Sequence, residues 1–295
     1  MQTIPKENAQ LAFLPGREPA AFIRSGESVR FECSDCYGEQ LAYDGFPYEK
    51  MDMRRNNPAT GPLYIEEAQP GDLLKITIEK IEIALEGSMC ARTGAGIYEI
   101  EGCHCRRFHI ENGEICFDHG IRIPIKPMIG VIGTASPEKL PTTWPGEHGG
   151  NMDIRDLGEG AVLVLPVFEK GALLSVGDLH AVQGDGETVV CALEMNGFVT
   201  LKAEVLKGRG DLPTPFILTK DAYLTTGAAE TLDEAGKIAA QKMHRFLQAH
   251  SPLNDAQSGM LLSLAGNLRI SQVVNPRKGC IMELKRGLAK EDFRL

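Results

Sequence analysis

Residues 161–187, AVLVLPVFEKGALLSVGDLHAVQGDGE, decide how this chain is read. The first sixteen are mostly apolar apart from Glu169-Lys170 and include Val162, Val164 and Val167, so they read as buried β-structure. The end of the stretch crowds Asp178, His180, Asp185 and Glu187 around Gly177, Gly184 and Gly186. Residues two apart on a strand share a face, which sets Asp178 beside His180. A carboxylate and an imidazole on one face begin a divalent-metal site. Gly184 and Gly186 flank Asp185 and permit a backbone reversal that returns Glu187 to the pair. A plain hairpin accounts for Gly-Asp-Gly. It gives no reason for a histidine beside a carboxylate on an apolar strand.

Outward from this stretch, two more strands are predicted at 188–194 and 197–206, with Val199, Leu201, Ala203 and Val205 on one face of the second. Upstream, 138–160 reads as a loop containing LPTTWPGEHGGN (140–151). Its glycines let backbone approach a ligand closely. His148 is a candidate metal ligand, Asn151 and Gln183 are candidate hydrogen-bonding partners of a substrate, and Trp144 is a candidate pocket wall. Asp153 and Asp156 read as helix caps or solvated charges. In LLKITIEKIEIAL (73–85), Leu74, Ile76 and Ile78 alternate with polar residues before the apolar set moves to Ile81 and Ile83, which predicts a bulge at Glu79-Lys80. Residues 88–120 suggest short antiparallel strands, and Pro124 and Pro127 break the apolar run 121–132.

Only the last quarter is helical in pattern. Thr231-Leu232-Asp233-Glu234 matches a capping box, and Leu232, Ala235, Ile238, Ala239, Met243, Phe246 and Leu247 follow at helical spacing. A second helix is predicted over 254–264, capped by Asn254 with Gln257 at N3, and closing strands over 271–275 and 279–284. The expected fold is mainly β: an antiparallel β-sandwich or barrel-like core with an α+β C-terminal part. Residues 1–210 would carry the site, and 211–295 would pack on it.

The chain has 295 residues, 43% of them hydrophobic, enough for a full core. A net charge of −9 without a lysine/arginine stripe argues against nucleic acid as a partner. No run of 18 apolar residues exists, so no membrane span is expected. The N-terminus shows no signal-peptide pattern, so a cytoplasmic location with reduced thiols is expected for the eight cysteines. Cys33-Ser34-Asp35-Cys36 has ligand-like spacing, but Cys103 and Cys105 are one residue too close for a zinc knuckle, so ordinary thiols are the expectation. Histidines 104, 109, 119, 244 and 250 read as structural or surface residues.

The motif GDLHAVQGDGE, preceded by HGGNMDIRDLGEGAVLVLPVF (148–168), resembles the acetamidase/formamidase family of amide hydrolases. NPATGPLYIEEAQPGDLL (57–74), IGVIGTASP (129–137), TTG (225–227) and SQVVNP (271–276) resemble it in the same order, over roughly residues 25–280. The resemblance implies the fold, metal dependence and hydrolysis of a small amide. It also implies an aspartate beside the site at Asp35, which becomes a candidate ligand.

Amides are resonance-stabilised and expel their amine poorly. A metal lowers the pKa of water from roughly 15.7 to ~7 and polarises the carbonyl. A carboxylate that moves the proton adds ~10²–10⁴-fold. The expected ligands are Asp178, His180, Asp35 and His148, with Zn2+ first and Ca2+ second. Glu187 is the expected acid/base, with Asp185 as a second catalytic carboxylate. Formamide or acetamide is the expected substrate, and a homo-oligomer, a dimer first, the expected assembly. No G-x-S-x-G elbow supports a serine hydrolase. The alternatives are a β-sandwich binding module with a structural metal and a hydrolase of cyclic amides. A spare carboxylate such as Glu187 has a use only in a hydrolase.

Overall fold

The computed structural model describes residues 1–288, 293 and 295. Its principal strands are β1 (Ser28–Cys33), β2 (Ala59–Ile65), β3 (Leu73–Arg92), β4 (Cys103–Glu111), β5 (Met128–Gly133), β6 (Gly149–Asn151), β7 (Val162–Pro166), β8 (Leu174–His180), β9 (Glu194–Leu206), β10 (Phe216–Leu218) and β11 (Ala222–Ala229). Helices α1 (Leu232–His250) and α2 (Asp255–Ala265) follow, then β12 (Gly266–Gln272) and β13 (Lys278–Lys285). The chain is mainly β, as predicted, in one large curled sheet that is antiparallel except where residues 2–4 join β1 and 21–23 join β2. No helix among the described residues is long and apolar enough to cross a membrane.

β8 is the central strand. It pairs with β5 on one side and β2 on the other, and its last two residues also meet the start of β9. All seven of its residues are buried, so the polar Ser175, Asp178 and His180 are held inside the molecule together with the apolar residues of the strand. The strand expected at 188–194 does not form. The backbone of this segment bonds to neighbouring loops instead: the Ile97 N–H donates to Thr188 O, and the Leu193 N–H to Val182 O. β9 begins at Glu194 and runs antiparallel to β3. Thr200 faces Lys80 while Leu201 faces Ile78, so Glu79 is the extra residue of a bulge, where the shift in apolar pattern predicts one.

The Thr231 hydroxyl caps α1 by accepting the Glu234 N–H, and α2 carries the complete Asn254/Gln257 capping box. α1 buries Ala235, Ala239, Met243, Phe246 and Leu247. A Cβ at Gly227 would stand 2.0 Å from the Ala235 carbonyl oxygen, so α1 rests directly on the backbone of β11. A second apolar cluster joins Leu73 and Val164 to Phe216, Tyr223 and Phe246, seating the helices on the same sheet. The closing strands are longer than predicted, but β12 stops at Gln272. There the Gln272 amide oxygen accepts the N–H groups of Val274 and Asn275, turning the chain so that Asn275 reaches the end of β6.

Candidate active site

Five ionisable side chains converge, buried, at the C-terminal end of β8: Asp153, Asp178, His180, Glu187 and Glu194. The strand register explains one contact directly. His180 stands opposite Glu194 across the β8–β9 ladder, and its Nε2 lies 3.1 Å from Glu194 Oε1. Asp178 Oδ1 is 3.4 Å from the same Nε2. Plain strand alternation does not produce that proximity, because Asp178 sits in the left-handed region at φ 57°. Asp153 (φ 48°) and Glu187 (φ 44°) are left-handed as well. Non-glycine residues hold such conformations only where the surroundings impose them, and they concentrate at functional sites. Gly130 opens the space: a Cβ there would lie 2.4 Å from Asp178 Oδ2 and 2.7 Å from Asp153 Oδ1.

A hydrogen-bonded chain orients the imidazole. Gln183 Nε2 donates to the carbonyl oxygens of Asp153 (2.8 Å) and Ser271 (3.3 Å), so its Oε1 is left as an acceptor. His180 Nδ1 is 2.8 Å from that Oε1 and must therefore be the donor. In its neutral form the ring turns its Nε2 lone pair toward the carboxylates, the orientation a metal-binding histidine needs. Asn275 Nδ2 donates to Asp153 Oδ2 at 2.7 Å and steadies the fourth carboxylate.

Four carboxylates in one buried space repel. Burial and the neighbouring Asp178 push the Asp153 carboxyl up to about 6. Burial lifts Glu194 to about 8 despite the opposing pull of His180. Burial and Asp153 raise Glu187 well above the ordinary carboxylate range. On His180, burial disfavours the imidazolium, but Glu194 and Asp178 outweigh it and the pKa rises. Each of these directions describes a centre that favours positive charge. His180 Nε2, Asp153 Oδ1, Glu187 Oε2 and Glu194 Oε2 are buried without a hydrogen-bond partner. Such groups cost ~1–3 kcal/mol each unless something satisfies them. The ligand atoms form two tight groups, Asp153–His180–Glu187 and Cys36–Asp178–Glu194. This donor set fits a divalent cation.

The centre opens onto a cavity of roughly 280 Å3 lined by Tyr48, Asn151, Asp178, Glu187, Glu194 and Asn275, among others. The model of the acetamidase/formamidase family matches residues 6–146 and 138–276. The chain belongs to that family. A crystal structure of an acetamidase from Bacillus halodurans is 41% identical, covers 96% of this chain and 97% of its own, and superposes with a TM-score of 0.94. The acetamidase of Mycolicibacterium smegmatis is 27% identical over 70% of this chain and 67% of its own. The formamidase of Methylophilus methylotrophus is 24% identical over 74% of this chain and 70% of its own.

Within this acetamidase/formamidase fold the predicted site residues separate. Asp178, His180 and Glu187 come together. Asn151 lines the cavity with its Oδ1 unpartnered. Gln183 holds His180 rather than facing the cavity, so it is a positioning residue. Asp185 does not join the cluster: its exposed carboxylate pairs with Arg155 and Arg269 at 3.1 and 2.9 Å, which corrects the catalytic role predicted for it. Asp35 is buried nearby, but its Oδ1 accepts the Glu39 N–H at 2.8 Å and closes a turn, and the next residue, Cys36, faces the centre instead. His148 is buried edge-on against Phe13, outside both ligand groups. Trp144 lies under the Arg277 guanidinium, 5.4 Å from the ring centroid, and its neighbour Thr143 lines the cavity.

Sequence reasoning missed Glu194, Asp153, Cys36 and Asn275. Asp153, read as a cap or solvated charge, is 1% exposed. Glu194 lies in the strand expected at 188–194, and no pattern within that strand marks it. Its place beside His180 follows from a cross-strand register that the fourteen-residue separation conceals. The signal available for Asn275 was its place in SQVVNP, a segment that resembles the family.

Proposed function

We propose that this protein hydrolyses the C–N bond of a small linear amide, formamide or acetamide, releasing ammonia and a carboxylate, and that the reaction depends on a divalent metal. One observation carries the reading. Glu187 is buried, touches both the ligand cluster and the cavity, and has an Oε2 with no partner. Asp178, His180 and Glu194 would hold the ion, with Asp153 and Cys36 beside them. When bound, such an ion polarises the amide carbonyl and makes water more acidic. The proton chemistry belongs to the chain. Glu187 takes the proton of the attacking water and returns it to the departing nitrogen, a role that requires a carboxylate facing the substrate. The unpartnered Asn151 Oδ1 accepts from the substrate NH2 group. Gln183 keeps the His180 lone pair aimed inward, and Asn275 holds Asp153 in place. A cavity of roughly 280 Å3, below the range typical of drug-sized ligands, suits a substrate of a few heavy atoms.

Zinc is favoured over calcium. Calcium takes oxygen donors, whereas an imidazole and a thiol accompany the carboxylates here. A binding module with a structural metal has no use for Glu187 facing a cavity. A homo-oligomer, a dimer first, stays the proposed assembly, supported by the apolar side chains that Met260, Leu264, Leu268 and Ile270 expose on α2 and β12. Light scattering on the eluting protein tests it. The deciding experiment for the activity is ammonia release from a panel of small linear and cyclic amides, before and after chelation, with elemental analysis of the purified protein. Turnover of formamide or acetamide that is lost with the metal and restored by Zn2+ is expected. Metal-replete protein that releases no ammonia from any linear amide overturns the proposal.

A further inference from the structure

The thiols that the amide chemistry leaves unused are gathered in one place. In the antiparallel pair β3–β4, Cys90 stands directly opposite Cys105. Cys103 precedes Cys105 by two residues and leaves β4 on the same face. Its Sγ lies 3.7 Å from that of Cys105. The three sulfurs of Cys90, Cys103 and Cys105 all fall within 4.8 Å of one another. Cys90 and Cys105 are buried in an apolar cluster with Tyr37, Leu41 and Met51, while Cys103 is exposed. The arrangement has two sulfurs on a dry floor and one at a solvent-facing rim.

We propose that Cys90, Cys103 and Cys105 form a site for a single thiophilic metal ion, of the Zn2+ or Cu+ kind, distinct from the carboxylate centre. Three sulfurs converge with no carboxylate among them, a donor set that selects soft cations. His104 takes no part, because its Nε2 bonds the Glu101 carbonyl. The Cys-His-Cys spacing alone falls short of a zinc knuckle; the missing donor arrives across the ladder from β3. A Cys103–Cys105 disulfide is the weaker use of these sulfurs. Residues two apart on a strand are separated by about 6.6–6.8 Å, at the far limit of disulfide reach.

The site also touches the wall of the substrate cavity. The Gly45 N–H donates to the Cys105 carbonyl at 2.8 Å, and the segment that follows carries Tyr48 and Met53 to the cavity. The sulfur of Cys191, another cavity-lining residue, accepts the Cys90 N–H at 3.2 Å. An ion held by the three thiols therefore braces the outer wall of that cavity from behind.

The test is a Cd2+ titration of the full-length, reduced, chelator-treated protein, read by thiolate-to-cadmium charge-transfer absorption, which carboxylate and imidazole ligands do not produce. A band that saturates at one equivalent beyond that taken up by the carboxylate centre is expected. Cys103→Ala removes an exposed side chain and spares the fold. It should abolish the band or weaken Cd2+ binding by at least about a hundredfold, the upper end of what losing even an outer-sphere partner costs. Cys36→Ala, which deletes the thiol at the carboxylate centre, should keep it. Circular dichroism verifies that both variants are folded. The proposal is overturned if the wild type shows no band, if Cys103→Ala keeps it, if Cys36→Ala loses it, or if mass spectrometry of the protein as purified, before reduction, finds two of the three thiols joined as a disulfide.

Discussion

Gly130→Ala is the sharpest test of the carboxylate geometry. Gly130 lies outside the left-handed region, so alanine brings no backbone strain of its own. What it brings is a methyl group aimed at the centre. Contacts of 2.4 Å to Asp178 Oδ2 and 2.7 Å to Asp153 Oδ1, against an ordinary 3.4 Å, mean retreats of about 1.0 Å and about 0.7 Å. Neither carboxylate has room to retreat freely. Asp178 is 3% exposed, and Asp153 is tied to Asn275. A misplacement of ~1 Å in a catalytic constellation can lower rate by ~10²-fold, equivalent to about 2.7 kcal/mol of transition-state stabilisation. The fold should lose only the ~1–3 kcal/mol typical of overpacking. The expected variant is folded by circular dichroism, has weakened metal retention by elemental analysis, and releases ammonia from acetamide about a hundredfold more slowly. A folded variant with wild-type kcat/KM and full metal content would refute the reasoning, because the working carboxylates would then not meet at Gly130.

Glu187→Gln keeps shape but cannot take up a proton; kcat should fall ~10²–10⁴-fold with metal content retained, whereas loss of metal together with rate would make Glu187 a ligand instead. Asp185→Asn should leave kcat within about twofold, since its carboxylate faces arginines at the surface, and a large loss measured by ammonia release would restore the catalytic role. Burial holds the His148 imidazolium down to about 4, against ~6.5 unfolded. The unfolded chain therefore binds the proton first, and this contribution is lost as pH falls from ~6.5 to ~4. The unfolding free energy from urea titrations should drop over that window by up to about 3 kcal/mol. His148→Phe should flatten that part of the profile, and an unchanged profile would contradict the assignment. Thr231→Ala, which removes the α1 cap, should cost about 1 kcal/mol by the same urea assay and leave turnover unaltered.

Local physics was legible in the chain. Period-two alternation marked the strands, the break in it at Glu79-Lys80 marked a bulge, and the Thr231 and Asn254 motifs marked both helix starts. The glycine-framed motif located Asp178, His180 and Glu187, because a charged cluster closing an apolar strand needs a reason to exist. The chain could not reveal which distant residues complete the site. Glu194 reaches His180 through an antiparallel register, Asp153 reaches Asp178 over the bare backbone of Gly130, and Asn275 arrives through a turn held by Gln272. Asp185, two residues from Glu187, was drawn to Arg269 instead, and Asp35 spent its carboxylate on a turn while Cys36 faced inward. Pattern within a segment is set by whether each side chain is buried or wet, which sequence records. Which carboxylate meets which partner is set by strand register and by backbone angles such as the left-handed φ of Asp153, Asp178 and Glu187, and these exist only once the sheet has closed.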